Sequence, residues 1–221
     1  MEEIWFPLKL SLWVSGLATI VVGISGIFFA YLFATKKFVG KNILDAFLTI
    51  PIILPPTVIG YFLLVIFGRN GFLGSLLLKT TGISLIFNWK AAVLAAVVVS
   101  FPLMYKTSKA AIESVDRDFL HASYTLGHSQ MGTFFRIVLP LARKGIVAGL
   151  ILSFARSMGE FGATLMIAGN IPGKTETMPL AIYTATNSGH DLQANILVAI
   201  LTGASILVLY LIQKQGAIVG R

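Results

Sequence analysis

The sequence is poor in charged residues and contains no cysteine. Only 12% of its 221 residues are Asp, Glu, Lys or Arg, whereas soluble domains carry roughly 25%. So few charges leave too little polar surface to coat a globule in water. The 56% hydrophobic composition therefore indicates a chain whose surface is largely covered by lipid. The absence of cysteine excludes disulfides and thiolate metal sites.

Acidic residues are the scarcer charged type: there are 17 Lys and Arg and 9 Asp and Glu, a formal net charge of +8. Nucleic-acid binding is one interpretation of such an excess. In a membrane protein, however, basic residues are typical of orientation signals at the cytoplasmic face, so we expect no nucleic-acid partner. The acidic start of the chain and the lack of a small-residue cleavage site predict that the first span is retained.

Five long apolar segments predict five transmembrane helices in one all-α integral membrane domain, residues 1–221. The predicted spans are residues 10–34, 43–67, 89–104, 139–168 and 194–212. External loops are expected at 71–88, with a short apolar segment at 72–78, and at 170–193; a polar cytoplasmic stretch is expected at 106–136. Pro55 and Pro56 interrupt the second span together with Pro51, which predicts a packing kink or a gate, and both are candidates for lining a path.

Basic residues in the connections predict the orientation. One side carries Lys36, Lys37, Lys41, Lys106, Lys109, Arg117, Arg136, Arg143, Lys144, Lys214 and Arg221. The other side carries only Lys9, Arg69, Lys79, Lys90 and Lys174. The richer side is expected in the cytoplasm, which puts the N-terminus outside and the C-terminus inside.

The predicted cytoplasmic loop, residues 108–140, has a helical pattern. Apolar residues recur every three or four positions and define one face, at Ile112, Val115, Phe119, Ala122 and Leu126. Asp116 and Asp118 are suited to cap the start of a helix, Gly127 to end it, and a second helix is expected up to Pro140. Periodicity alone favours a surface helix that packs on its own bundle.

The fourth predicted span contains ionisable residues, which cost roughly 2.5–3.5 kcal/mol each within a membrane and usually face a bundle interior or an aqueous cavity. Arg156 and Glu160 are four apart and are predicted to pair. Projection of the span as a helix puts a polar stripe on one side, with Arg156 at its edge: Ser153, Ser157, Glu160 and Thr164. A lining for a translocation path and a structural ion pair are both open interpretations.

Residues 168–175 come close to the nucleotide-binding loop G-x-x-x-x-G-K-[ST]. That motif needs a preceding strand, whereas this segment follows a membrane span, contains Pro172 and is expected outside the cell. We therefore reject an ATP site. Gly173, Lys174 and Thr175 are candidates for an anion-attracting external gate, although a plain surface turn is the favoured interpretation.

Chemistry on a substrate is not indicated. The three histidines are scattered without metal-ligand spacing, and no serine-histidine-acid or paired-carboxylate arrangement is present in the sequence. No metal, no cofactor and no enzymatic activity of the chain itself are expected.

The cytoplasmic loop resembles the signature of permease subunits of ATP-binding-cassette (ABC) importers. That signature reads Glu-Ala-Ala, three residues, Gly, nine residues, Ile, one residue, Leu-Pro. The matching residues here keep every interval: His121, Ala122, Ser123, Gly127, Ile137, Leu139 and Pro140. The resemblance implies a coupling helix that docks in a groove of a separate ATPase subunit, with Leu126 on its apolar face. His121 replaces the family glutamate, and Ser123 replaces the second alanine.

Other segments resemble the oxyanion branch of this family. Residues 54–61 are similar to the second span of molybdate permeases, residues 159–175 to the hallmark of molybdate and sulfate permeases, and residues 178–183 to molybdate members. The resemblance implies a type I ABC importer permease fold. It also implies a homodimer of permeases with two cytoplasmic ATP-binding subunits and an external oxyanion-binding protein in the inner membrane.

The expected function is therefore that of the permease subunit of an ATP-driven importer for molybdate or tungstate. Three alternatives stay open at this stage. They are a sulfate or thiosulfate permease, an ion-coupled transporter in which Arg156 and Glu160 form a relay, and a membrane scaffold without transport.

Overall fold

The structure is a computed structural model that describes residues 2–218, with side chains described for residues 4–210. The helices are, in chain order, α1 (Glu2–Thr35), α2 (Lys41–Ile53), α3 (Pro56–Phe67), α4 (Phe72–Thr81), α5 (Trp89–Glu113), α6 (Arg117–Thr125), α7 (Gln130–Thr133), a π-helical segment (Phe134–Val138), α8 (Leu139–Met158), α9 (Gly162–Ala168), α10 (Met178–Asn187) and α11 (Asp191–Ile218). Lys214 and Arg221, which contributed to the predicted orientation, lie outside the described side chains.

The predicted all-α fold with about five spans is confirmed. Four continuous helices among the described residues are long and apolar enough to cross a membrane: Ile4–Thr35, Trp89–Glu113, Gln130–Met158 and Asp191–Tyr210. The pair Lys41–Ile53 and Pro56–Phe67 forms a fifth if it is counted as one broken span.

The second predicted span is not one kinked helix, because α2 and α3 bend by 116°. Leu54, at the bend, is extended (φ −74°, ψ 141°), as a residue that precedes proline prefers. Pro55 has no N–H to continue the helix, and Pro56 occupies the first position of α3, where a missing N–H is harmless. The tandem prolines therefore break the span completely.

The fourth predicted span is also broken. α8 ends at Met158 and α9 begins at Gly162, so the helical projection from Ser153 to Thr164 assumed a continuity that the chain does not have. At its other end, α8 begins at Leu139, where the span was predicted to start, but no break separates it from the preceding helix. Helix runs from Gln130 to Met158, because the π-helical segment, in which the Leu139 N–H bonds to the Phe134 carbonyl, accommodates the proline.

One further predicted boundary was wrong, and one predicted loop contains a helix. α5 does not end at residue 104 but continues to Glu113, and it keeps Ser108 and Ile112 buried in the interior. The predicted external loop at 170–193 contains α10, whose Met178 N–H donates to Ser11 Oγ of α1 at 2.8 Å. Both stretches contain polar residues, so hydropathy alone predicts loops there. Tertiary contacts bury these residues or provide their hydrogen-bond partners.

α5 lies at the centre of the molecule, with α1 and α8 packed along it. Small residues on α8 allow the close approach. A Cβ at Gly145 would lie 2.4 Å from Ala111 Cβ, and a Cβ at Gly149 would lie 2.3 Å from Thr107 Oγ1. This spacing of small residues at every fourth position is typical of tightly packed membrane helices.

Replacing Gly149 with leucine is expected to separate α5 from α8. The new side chain would overlap Thr107 and Met104, and overpacking typically costs about 1–3 kcal/mol. We expect a lower Tm and a broadened gel-filtration profile of the purified protein. Gly16→Leu is the matched control, since nothing lies within 4 Å of a Cβ at that site. Equal Tm values for the two variants would contradict the close α5–α8 contact.

Candidate coupling segment and polar membrane sites

The segment that resembles the coupling helix, residues 117–133, forms two short helices around a glycine turn; we call it the coupling segment. Asp116 caps α6 by accepting the N–H of Asp118 at 3.0 Å, as predicted. Gly127 has φ +83°, the left-handed conformation that glycine adopts without strain. Its N–H donates to the Tyr124 carbonyl at 2.9 Å. Local sequence chemistry therefore accounts for both ends of α6.

Ser123 explains how the two helices are held together. Its hydroxyl lies 2.9 Å from Thr133 Oγ1, and both side chains are buried. The Ser123 carbonyl also accepts the N–H of His128 at 3.2 Å. Serine in place of the second signature alanine is thus used inside the coupling segment, where its hydroxyl joins α6 to α7.

The apolar face of α6 is left uncovered by the part of the chain that the structure describes. Phe119 is 54% exposed and Leu126 is 77% exposed, and Ala122 between them is exposed as well. The predicted face does not extend further, because Ile112 lies on α5 and is buried in the interior. What remains is a compact apolar surface on one short helix, which is suited to dock into another protein.

The rest of the signature lies on either side of this surface. His121 is exposed on α6. Ile137 and Leu139 are half-buried in the helix that follows the turn, and Pro140 is exposed there. Ile137, Leu139 and Pro140 lie in the continuous helix Gln130–Met158, so α7 of the coupling segment is joined to the fourth span without a break.

The two broken spans meet each other. A Cβ at Gly162, the first residue of α9, would lie 3.1 Å from Thr57 and 3.3 Å from Pro56. One turn further, a Cβ at Gly60 would lie 2.7 Å from Ala163 Cα. The structure therefore brings Pro56 beside the break that follows α8, although about 105 residues of chain separate them.

Glu160 joins the two sides of the break after α8. One carboxylate oxygen, Oε1, accepts the Ala163 N–H at 2.8 Å at the start of α9. The other, Oε2, lies 2.9 Å from Arg156 Nη1, which confirms the predicted pair. That ion pair lacks hydrogen-bond geometry, and Oε2 has no hydrogen-bond partner among the described residues. Glu160 is 97% buried by the surrounding chain, with 3% of its surface exposed.

The predicted polar stripe is buried in spite of the helix break. Ser153, Ser157 and Thr164 have at most 5% of their surface exposed. Ser153 Oγ lies 3.5 Å from the Ser100 carbonyl of α5, and Ser157 Oγ has no hydrogen-bond partner among the described residues. A buried hydroxyl without a partner is costly. The Ser157 hydroxyl is therefore available to hydrogen-bond another molecule in this region.

The proposed external gate residues are not presented together. Thr175 is completely buried, and its hydroxyl accepts the Ile171 N–H at 2.9 Å and donates to the Gly169 carbonyl at 3.2 Å. Gly173, with φ +69°, and Lys174 are exposed at the tip. The Lys174 N–H is used within the turn, where it donates to the Ile171 carbonyl. The geometry is that of a tight surface turn.

Sequence reasoning missed a charged cluster around Asp45 of α2. Its carboxylate accepts the Tyr105 hydroxyl and lies 2.7 Å from Lys106 Nζ and 2.9 Å from Lys109 Nζ, all on α5. The signal was an acidic residue inside an apolar span, which usually has a functional or structural partner. The partners were not identifiable because they lie about 60 residues away.

Asp45→Asn is expected to loosen α2 from α5. None of the side chains of α2, all of which the structure describes, is buried, so the Asp45 cluster is its principal attachment. Hydrogen bonds to charged groups contribute about 1.5–3 kcal/mol. We expect faster hydrogen exchange across α2 and a lower Tm. Asp118→Asn, an exposed acid without an ion pair among the described residues, should change neither. Unchanged exchange in α2 would contradict the role of the cluster.

Comparison with known proteins identifies a family whose members are similar to this chain in sequence. The profile of the family described as "Binding-protein-dependent transport system inner membrane component" matches residues 13–215. Over 180 residues, the chain is 49% identical to the molybdenum transport system permease protein ModB of Escherichia coli (strain K12), covering 81% of this chain and 79% of that protein. It is 33% identical over 213 residues to the sulfate transport system permease protein CysT of the same strain, covering 96% and 76%.

A solved structure has the same fold. It is a bacterial alginate ABC transporter in complex with an alginate pentasaccharide-bound periplasmic protein. The TM-score is 0.77 at 13% sequence identity, and the match covers 96% of this chain and 77% of that one. At this identity the similarity concerns the fold alone. The predicted type I importer permease fold is thereby confirmed.

Proposed function

Because this chain belongs to the family of inner membrane components of binding-protein-dependent transport systems, we propose that it is the permease subunit of an ATP-driven importer for molybdate or tungstate. The assignment of the substrate rests on the 49% identity to a molybdenum permease, compared with 33% to a sulfate permease. Molybdate and tungstate are treated together because both are tetrahedral dianions of similar size. A sulfate permease is the less supported alternative.

The proposed complex contains two copies of this chain, two cytoplasmic ATP-binding subunits and an external oxyanion-binding protein. In it, the permease has no ATPase site of its own and offers alternating access across the inner membrane. The exposed apolar surface of α6 supports this arrangement, because Phe119 and Leu126 would otherwise stay in water. The unbroken helix from α7 into α8 supports a mechanical role, since movement of the coupling segment would move the fourth span.

We place the translocation path beside the junction of the two broken spans. Interrupted membrane helices are tolerated where they border a cavity, and the positive ends of half-helices attract anions. Pro55 and Pro56 lie at one such end, the start of α3, whereas the start of α9 is already capped by the Glu160 carboxylate. The Ser157 hydroxyl, which has no hydrogen-bond partner among the described residues, also supports this location. Because few charges are available there, we assign selectivity to the external binding protein.

The substrate is tested by measuring the molybdenum and tungsten content of cells that lack this gene, grown with trace amounts of each metal, together with sulfate uptake. Loss of molybdenum and tungsten accumulation with normal sulfate uptake is expected. The reverse result would establish the sulfate alternative. Uptake by the reconstituted permease alone, driven by a proton gradient without an ATPase, would overturn the ATP-driven mechanism.

The proposed orientation predicts where single cysteines react. The natural chain has no cysteine, so Leu126→Cys in the coupling segment and Lys174→Cys in the turn after α9 are unique labelling sites, both exposed. In intact cells, a membrane-impermeant maleimide should label the Lys174→Cys variant only. Permeabilised cells should label both when the permease is expressed without the ATPase subunit, which is expected to cover Leu126. Labelling of Leu126→Cys in intact cells would place the coupling segment outside and remove the basis of the proposal.

A further inference from the structure

A cavity of about 800 Å³ opens between the end of α1 and the coupling segment. Four basic side chains line it: Lys36 and Lys37 after α1, Lys41 at the start of α2, and Arg117 at the start of α6. Among acidic residues, only Glu113 contributes to the described lining. The cavity therefore has a strong positive charge that its own walls do not balance.

These cations are not engaged in ion pairs within residues 4–210, where the pairs are those of Asp45 and of Glu160. Lys36 Nζ donates to the neutral Gln130 Oε1 at 3.2 Å, and Lys41 Nζ donates to the Lys36 carbonyl at 3.3 Å. Hydrogen bonds to neutral oxygens leave the charge in place. A cavity of this kind is suited to an anion that several cations can contact at once.

The uncharged lining is partly polar, from Tyr31, Thr35, His121, Tyr124 and Gln130, and partly apolar, from Ala34, Ile112, Val115, Leu120 and Val138. A small oxyanion would leave the apolar part of this surface and most of the volume unused. An amphipathic anion would use both. The turn that leads into the cavity also suits a bilayer surface, because Phe38 is 38% exposed and Val39 fully exposed between Lys37 and Lys41. Basic pockets at the cytoplasmic ends of membrane helices bind anionic lipid headgroups.

The proposed ATPase partner has a different surface available. Phe119, Ala122 and Leu126, which form the exposed apolar face of α6, are not among the residues that line the cavity. Leu120, His121 and Tyr124 line it instead. Thus one face of α6 is available for a partner protein, and the opposite face borders the cavity.

We infer that this cavity binds the phosphate headgroup of an anionic phospholipid from the cytosolic leaflet, in contact with both α1 and the coupling segment. The location in the cytosolic leaflet rests on the orientation given under the proposed function. Binding itself does not, so a failed orientation test and a failed lipid test are distinguishable. A bound headgroup would also contact α6, which makes the coupling segment sensitive to the lipid composition of the membrane.

The test is the thermal stability of the purified permease–ATPase complex, and of the permease alone, with three additives. They are dihexanoyl-phosphatidylglycerol, the zwitterionic dihexanoyl-phosphatidylcholine, and inorganic phosphate. We expect only the phosphatidylglycerol to raise Tm in a saturable way, by about 2–4 °C. The rise should be lost in Lys36→Gln/Lys37→Gln and kept in Lys144→Gln/Arg143→Gln, a double variant that removes two exposed charges outside the cavity.

Each other outcome overturns the inference. An equal rise with inorganic phosphate would identify a free-anion site, and an equal loss of the rise in both double variants would identify nonspecific surface attraction. A rise that occurs in the permease but not in the complex would mean that the ATPase covers the cavity. If the Lys36 change impairs folding through its Gln130 contact, Lys37→Gln alone serves, because Lys37 is exposed and has no hydrogen bond among the described residues.

Discussion

Gly127→Pro is expected to abolish ATP-driven uptake while the chain still inserts in the membrane. Proline fixes φ near −65°, whereas Gly127 has φ +83°. The substitution also removes the N–H that donates to the Tyr124 carbonyl. The turn must therefore rearrange, which changes how α6 and α7 are placed relative to each other. Substrate uptake, ATPase co-purification and ATP hydrolysis should be measured on the same preparation.

The control for this variant is Gly127→Asn. Asparagine tolerates the left-handed conformation better than other residues with a side chain, and nothing lies within 4 Å of a Cβ at this position. We expect most of the uptake to be kept. ATPase co-purification at the wild-type yield together with wild-type uptake by the proline variant would contradict a coupling role for the turn.

Glu160→Ala is expected to destabilise the junction of the broken spans more than any other single change at this site. It leaves Arg156 without its partner and the Ala163 N–H without its acceptor. Breaking a buried ion pair costs about 3–5 kcal/mol, and the 32% exposure of the Arg156 side chain points to the lower value. For a chain of this size, about 3 kcal/mol corresponds to a Tm decrease of roughly 6–12 °C.

Two further variants separate the roles of the pair. Glu160→Gln keeps an acceptor for Ala163 but leaves the Arg156 charge unpaired, whereas Arg156→Met/Glu160→Gln removes both charges. If the double variant has wild-type Tm but no uptake, the charges serve the translocation path. If it has wild-type uptake, the ion pair only stabilises the fold. A wild-type Tm of Glu160→Ala would show that neither contact contributes to stability.

The sequence was most informative for features that depend only on residues within one helical turn of each other. The cap at Asp116, the left-handed Gly127 and the pairing of Arg156 with Glu160 each depend on residues at most four positions apart. The number of spans likewise follows from the length of apolar segments. The unbroken helix through Pro140 was missed because an extra residue per turn, which no local preference indicates, absorbs the proline.

The sequence by itself determined that the chain is an all-α membrane protein with a glycine-turned segment that resembles a coupling helix, because hydropathy, capping and φ preferences act within a few residues. Only the tertiary structure decided that the second and fourth spans are broken and meet at Pro56 and Gly162, and that Asp45 anchors α2 to Lys109. It also decided that four cations surround one cavity. These features depend on contacts between segments tens of residues apart. Such contacts form only when the helices pack together, so the residue pattern within a single helix cannot predict them.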